Sequence, residues 1–403
     1  MEKINKLKKI FKEKKINGYL IPKNDEFFGE YILEKKDRLK YISNFSGSYG
    51  FALILNNKNY LFVDGRYTLQ AKKQSENFFT IKTIPKSLPG KIFKNRELKI
   101  GFDPKLFTKN TLHLFFGKNN FKLTPINQNL IDQIWLRKSK YKTDSFFTLP
   151  INSVGQTYKQ KINNIVSEIK KKRADYQFIT SSENNAWLLN IRGKDSNYAP
   201  IPHSYILVDC FKNLQFFCDL KKISPSFKKK FNKINFLDIK LVSFFLSKLI
   251  KSRVIIDNNT CSVYFENIIL KKNTIVSRRD PINYLKSIKT KVEIENIKKT
   301  HIYDGAALTK YLIWLKKNYS KKKVSEISAE KKLFSFRKKN KYFKYLSFPT
   351  ISGTGPNGAI IHYKATQKSN RRLKKKDIYL VDSGGQYNFG TTDVTRTISL
   401  ENK

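Results

Sequence analysis

Ile378-Tyr-Leu-Val-Asp-Ser-Gly-Gly385, followed five residues later by Thr391-Thr-Asp-Val-Thr-Arg-Thr-Ile398, is the stretch on which the reading of this chain turns. The first segment is an apolar strand that delivers a carboxylate, Asp382, just before two glycines that let the backbone turn. The second is a Thr-rich strand bearing Asp393, eleven residues on. Strands so close in sequence pair as antiparallel neighbours, which places both carboxylates at one point. Carboxylates that close repel each other unless a cation sits between them. Hard oxygen ligands of this kind suit divalent metal, and two ions a few ångströms apart can share one carboxylate and activate a water. The alternative is a pair of Asp residues capping backbone amides in turns.

Working outward, Ser347-Phe-Pro-Thr-Ile-Ser-Gly-Thr-Gly-Pro-Asn-Gly-Ala-Ile-Ile-His-Tyr363 mixes β-forming residues with three glycines and two prolines. The backbone is bent sharply there, beside a single histidine, His362. A lone histidine on an apolar segment is usually structural, but the two carboxylates downstream make this one a catalytic candidate. Before it, Val292 to Lys316 carries a long helical pattern (Ile297, Ile302, Ala306, Leu308, Leu312, Leu315) and ends on Lys316 and Lys317, as the helix dipole prefers. A second helix is predicted from about Ser325 to Lys338.

Two earlier regions repeat one order of elements. In the first, Ile4, Leu7, Ile10 and Phe11 mark an amphipathic helix, Gly18 to Pro22 a strand, Phe51 to Leu55 with Tyr60 to Val63 a hairpin, and Lys99 to Asp103 a late strand. In the second, Ile162, Ile165, Val166 and Ile169 mark the helix, Tyr176 to Thr180 the strand, Tyr205 to Val208 with Gln215 to Cys218 the hairpin, and Val254 to Asp257 the late strand. Each late strand ends in Asp (Asp103, Asp257), and each series covers about 80 residues, which points to duplication of one domain. Asn129 to Leu136 and Arg137-Lys-Ser-Lys140 are read as a connecting helix and a polar linker. The fold class is therefore α/β (α+β), in three regions: 1–128, 129–288 and 289–403.

With these motifs in place, the third region resembles the start of the catalytic domain of Xaa-Pro aminopeptidase (aminopeptidase P), a metallopeptidase family with the pita-bread fold, in its three-domain form. The resemblance covers essentially the whole chain. It rests on Gly47-Ser-Tyr-Gly50 and Asp64-Gly-Arg-Tyr67, on Asn185-Ala-Trp-Leu-Leu-Asn-Ile-Arg-Gly193, and most specifically on the His362, Asp382 and Asp393 segments. It implies two related creatinase-type α/β domains followed by the first half of a pita-bread domain. It implies a site for two divalent metal ions, commonly manganese, with Asp382 holding one and Asp393 bridging both. It implies that His362 hydrogen-bonds substrate and assists proton transfer. The implied substrates are peptides with proline second, cleaved by hydrolysis after the first residue, and the family's habit implies a homodimer. Trp187 and Arg192 are expected in structural contacts, and Arg396 is a candidate to steady Asp393.

The family needs a further histidine and two glutamates from strands that follow the second aspartate. Here Glu401 is the sole carboxylate residue after Asp393, and no histidine follows His362. The expectation is a C-terminally incomplete chain, inactive as it stands, with Ile378 to Val381 short of covering partners. His113, His203 and His301 are expected to be structural. Two alternatives remain open: a non-catalytic pita-bread module that binds acidic or peptide partners, and a prolidase-like dipeptidase.

Composition narrows the setting. Hydrophobic residues make up 40% and aromatics 14% of 403, so wholesale disorder is excluded. The 80 Lys+Arg against 32 Asp+Glu give a net charge of +48, but only 13 of the 80 are Arg, whereas specific phosphate and base readout favours Arg forks. The basic runs (Lys228 to Lys230, Lys321 to Lys323, Arg371 to Lys376) are short and scattered, so no specific nucleic-acid partner is expected. Cys210, Cys218 and Cys261 form no CxxC pair and are expected as free thiols in a reducing compartment. No signal-peptide-like or membrane-spanning apolar run is present, and the expected location is the cytoplasm.

Overall fold

The computed structural model describes residues 1–94, 97–117, 121–137, 144–231, 233–321 and 323–401. The chain divides into two compact units: Met1–Thr148 with Tyr158–Ser196 and Ile201–Ser287, and Leu149–Thr157 with Asn197–Pro200 and Ile288–Lys403.

The first unit holds two six-stranded sheets. Numbered within each sheet in chain order, the strands of both lie in the order 4-3-2-1-5-6. Strands 1 and 2, and 2 and 3, are antiparallel, and the other neighbours are parallel, in both sheets. The duplication read from the element order is thus a duplication of topology. The hairpins form as expected, Phe51 opposite Phe62 in the first and Tyr205 opposite Phe217 in the second. The late strands are shifted one residue earlier, to Leu98–Phe102 and Arg253–Ile256, because each aspartate leaves the ladder to cap the chain that follows.

Both sheets are buried on two faces, so their central strands read as continuous apolar runs. In Gly18–Pro22, Tyr19 and Ile21 join the core under the helix Glu2–Glu13, while Leu20 joins the opposite core with Phe51 and Phe62. The helix Tyr158–Lys171 does the same for the second sheet through Ile162, Ile165, Val166 and Ile169. The short helix Leu130–Ile134, read as a connection, packs into the first core through Leu130 and Ile131. Of the polar linker after it, residues 138–140 lie outside the described residues, as does 322 of the run Lys321 to Lys323. The described residues of the three basic runs are exposed except Arg371, which is half-buried, and Leu373, which is buried.

In the second unit, Lys291–Asn318 is a 28-residue helix, about 42 Å long, opened by a Thr290/Glu293 capping box. Glu326–Lys338 follows, capped by Ser325. Ile351–Thr354, Ile378–Ser383 and Val394–Ser399 form an antiparallel sheet with Ile378–Ser383 in the middle. Phe343–Leu346 pairs with Gly385–Tyr387 beside it. The expectation that Ile378 to Val381 lacks cover is corrected at two positions. Tyr379 and Val381 are fully buried against Leu308, Tyr311, Leu315 and Leu333 of the two helices, and only the alternate residue Ile378 is left exposed. A strand has two faces, and the helices already present in this chain cover one of them.

Candidate metal centre

The site is built where the central strand Ile378–Ser383 meets the start of Val394–Ser399. Asp382 stands opposite Thr395 and Ser383 opposite Val394, so Asp393, one residue before the ladder begins, comes alongside the end of the Asp382 strand. Gly384 makes the approach possible: a Cβ there would overlap the Thr392 carbonyl oxygen and the Ser347 hydroxyl. The junction is then tied by polar contacts. Ser347 Oγ donates to the Thr392 carbonyl at 2.8 Å, Thr392 Oγ1 accepts from Gly385 N at 2.9 Å, and Thr392 N donates to the Gly385 carbonyl at 3.0 Å. Thr392 is 1% exposed, so the residue just before Asp393 is immobilised.

The two carboxylates sense each other. The Asp393 carboxyl is pushed above its ordinary value by partial burial and by the adjacent Asp382. Asp382 Oδ1 is buried without a hydrogen-bond partner. Among the described residues no Lys, Arg or His forms an ion pair with either aspartate. In a chain of net charge +48, two neighbouring carboxylates with no cationic partner and one orphaned oxygen are a donor set that fits a divalent cation. No group of three or more His, Cys, Asp or Glu that could hold a metal ion is assembled among the described residues.

Arg396 does not steady Asp393. It lies exposed on the strand and donates to the Thr395 carbonyl at 2.7 Å. His362 is exposed, in a left-handed conformation (φ 55°), on the chain that leaves the 3-10 turn Gly355–Ala359. That turn packs on both Ile351–Thr354 and Ile378–Ser383. Trp187 and Arg192 have the structural contacts expected of them: Lys161 Nζ sits over the indole at 4.0 Å, and Arg192 donates to the Ala186 and Ile191 carbonyls. His301 Nδ1 meets the Ile297 carbonyl within its own helix, and the three cysteines are free thiols.

Sequence reasoning passed over Glu326. This fully buried carboxylate accepts from Thr354 N (2.9 Å), Asn357 Nδ2 (3.0 Å), Tyr363 OH (2.9 Å) and Arg371 N (3.0 Å), gathering the whole loop that carries His362. The one signal available was a glutamate at the first position of a predicted helix, which reads equally well as a solvated complement to the helix dipole.

Known proteins share the order of domains in this chain. Residues 3–134 and 137–293 each match a creatinase/prolidase N-terminal domain, and residues 295–403 match metallopeptidase family M24. A probable Xaa-Pro aminopeptidase P of Laccaria bicolor is 35% identical, over 98% of this chain and 64% of its own length. One from Coprinopsis cinerea is 32% identical, over 97% of this chain and 67% of its own length. The chain belongs to the Xaa-Pro aminopeptidase P family. It spans about two thirds of the length of these curated relatives. Among solved structures, the X-prolyl aminopeptidase of Caenorhabditis elegans, described as a cytosolic enzyme with a di-nuclear active site, superposes with a TM-score of 0.92 at 28% identity, over all of this chain and 70% of that one. Two creatinase-type domains followed by a metallopeptidase domain are thus the architecture of this aminopeptidase P relative. The prolidase-like and non-catalytic alternatives are not favoured.

Proposed function

We propose that the protein is a metal-dependent aminopeptidase that removes the first residue from peptides with proline in second position. The observation that carries the proposal is the uncompensated pair Asp382 and Asp393, held side by side by the Gly384 and Thr392 junction in a chain of the aminopeptidase P family. Asp382 and Asp393 are assigned as metal ligands, Asp393 as the one shared between two ions. Bound divalent ions, manganese by family habit, supply Lewis acidity and a water of lowered pKa.

The chain's own residues do the rest. Asp382 and Asp393 fix the charge that the carbonyl of the first residue meets. His362 hydrogen-bonds the substrate and carries a proton to the prolyl nitrogen as it leaves. That nitrogen belongs to a tertiary amide with no N–H of its own, so a proton has to be delivered for it to depart as an amine. The rigidity of the Xaa-Pro bond favours a site shaped for the pyrrolidine ring. The domains are bounded near 128/129 and 288/289, the protein works as a homodimer, and its location is the cytoplasm. Consistent with that location, no described helix is long and apolar enough to cross a membrane, and the Caenorhabditis elegans neighbour is described as cytosolic.

The test uses the protein as its gene encodes it, with manganese and a tripeptide such as Ala-Pro-Ala. Asp393→Ala is expected to abolish metal-dependent release of the first residue and to lower bound metal. Full turnover with normal metal content refutes the assignment.

A further inference from the structure

His362 sits in a stretch with little regular structure of its own. From the end of Ile351–Thr354 to the start of Ile378–Ser383 the chain runs through one 3-10 turn, then bends and turns, with positive φ at Gly355 and at His362 itself. An exposed histidine on such a segment would ordinarily sample many orientations, at a cost in rate whenever it must be aimed. One buried side chain outside the segment reaches both of its ends.

Glu326, at the first turn of the helix Glu326–Lys338, is 0% exposed. Its Oε1 accepts from Thr354 N and Asn357 Nδ2, and its Oε2 from Tyr363 OH and Arg371 N, at 2.9 to 3.0 Å. Two of these donors precede His362 in the chain, one is its immediate neighbour, and one closes the loop beyond it. Asn357 Nδ2 and Tyr363 OH also meet the Ser369 carbonyl at 2.9 and 3.1 Å, so both sides of the loop converge on one buried point. The main chain at Glu326 is itself tied down, because Ser352 Oγ donates to the Glu326 backbone carbonyl at 2.8 Å and bonds the Tyr379 hydroxyl at 2.8 Å. Tyr379 lies three residues from Asp382 on the metal-site strand.

We propose that Glu326 is a positioning residue: its carboxylate clamps the loop 354–371 so that His362 is presented to the substrate at the Asp382/Asp393 centre. The role rests on the reading of His362 given above. A carboxylate suits the geometry because a backbone N–H, which can only donate, points at each of its oxygens: Thr354 N at Oε1 and Arg371 N at Oε2. An amide of the same shape turns one of its ends into a donor facing a backbone N–H, at Arg371 N on one side or at Thr354 N on the other.

The experiment compares wild type with Glu326→Gln, Tyr363→Phe, His362→Ala and the double variant Glu326→Gln/His362→Ala, in the protein as its gene encodes it, loaded with manganese and assayed on Ala-Pro-Ala. Glu326→Gln is expected to lower kcat about 10- to 100-fold with KM and bound metal unchanged, up to the lower end of the roughly 10²- to 10⁴-fold that a positioned acid–base group contributes, since the histidine itself remains. Tyr363→Phe, which removes one donor and leaves the carboxylate, is expected to lower it less. Adding Glu326→Gln to His362→Ala should change nothing further, since the clamp acts through that histidine. Multiplying effects in the double variant, or an unchanged kcat in Glu326→Gln, overturn the proposal. Hydrogen exchange of residues 355–371 separates the clamp from the function of His362. If His362→Ala keeps full turnover, the catalytic reading of the histidine fails, and the clamp stands only if exchange in this loop accelerates at least tenfold in Glu326→Gln. Exchange at the wild-type rate overturns the clamp whatever the kinetics show.

Discussion

Asp304 and Arg337 form the most deeply buried ion pair described in the chain, and Asp304→Asn tests how the metal-site domain is held together. Arg337 Nε and Nη2 meet Asp304 Oδ1 and Oδ2 at 2.7 and 2.9 Å, with both side chains 0% exposed. Tyr387 OH donates to Oδ1 at 2.7 Å. These contacts join both long helices to the strand Gly385–Tyr387, which continues directly from Asp382. Asn preserves the shape and removes the charge, leaving a buried guanidinium opposite a neutral amide. Breaking a buried pair in this way costs about 3–5 kcal/mol. Native-state hydrogen exchange reads that loss where it occurs: amides of Glu326–Lys338 should open about 10² to 10⁴ times more readily, at tenfold per 1.4 kcal/mol. Acceleration below about fivefold would refute the reasoning. The compensating variant Asp304→Leu/Arg337→Met should restore exchange to within about 1 kcal/mol of wild type, because Arg337 Nη1 has no partner and the pair is incompletely satisfied. The pH dependence has a definite sign. Burial raises the Asp304 carboxyl, but the hydrogen bond and charge of Arg337 outweigh it, and the net shift is below the ordinary 3.8. Its contribution is therefore complete above that value and lost as pH falls below it.

Other outcomes follow from single positions. Gly384→Ala should weaken manganese binding, measured by calorimetry, because the new methyl group forces Thr392, and with it Asp393, away from Asp382; unchanged affinity would show that the close approach is not needed. His362→Ala should lower turnover while leaving bound metal intact, and loss of metal as well would make it a ligand rather than a proton carrier. His203 stacks on Phe27 at 4.1 Å between centroids, and burial, reinforced by Lys36, Lys222 and Lys35 and opposed by Glu26, pulls its pKa from 6.5 to about 3. Neutral in the fold and protonated when unfolded, it withdraws stability progressively as pH drops from about 6.5 toward 3. His203→Gln should flatten the urea-midpoint profile over that window, and an unaltered slope would count against the assignment.

The periodicities were legible because they are local. Strand alternation such as Leu20 against Tyr19 and Ile21, helix spacing such as Ile162, Ile165, Val166 and Ile169, and a doubled order of elements all follow from side-chain direction along the backbone. The Asp382 and Asp393 pair was legible for the same reason, since eleven residues leave little but a strand, a turn and a strand. Arg396 misled because proximity in sequence says nothing of which carbonyl a flexible guanidinium finds.

By itself the sequence determined the fold class, the duplication, and which two carboxylates meet. Each depends on periodicity or on short-range pairing, and each is written in neighbouring residues. Tertiary structure alone decided the rest: that Gly384 permits the approach, that two helices cover Tyr379 and Val381, and that Glu326 gathers a loop whose donors lie 28 to 45 residues away. A buried carboxylate is stable only where its donors converge, and that convergence is created by packing.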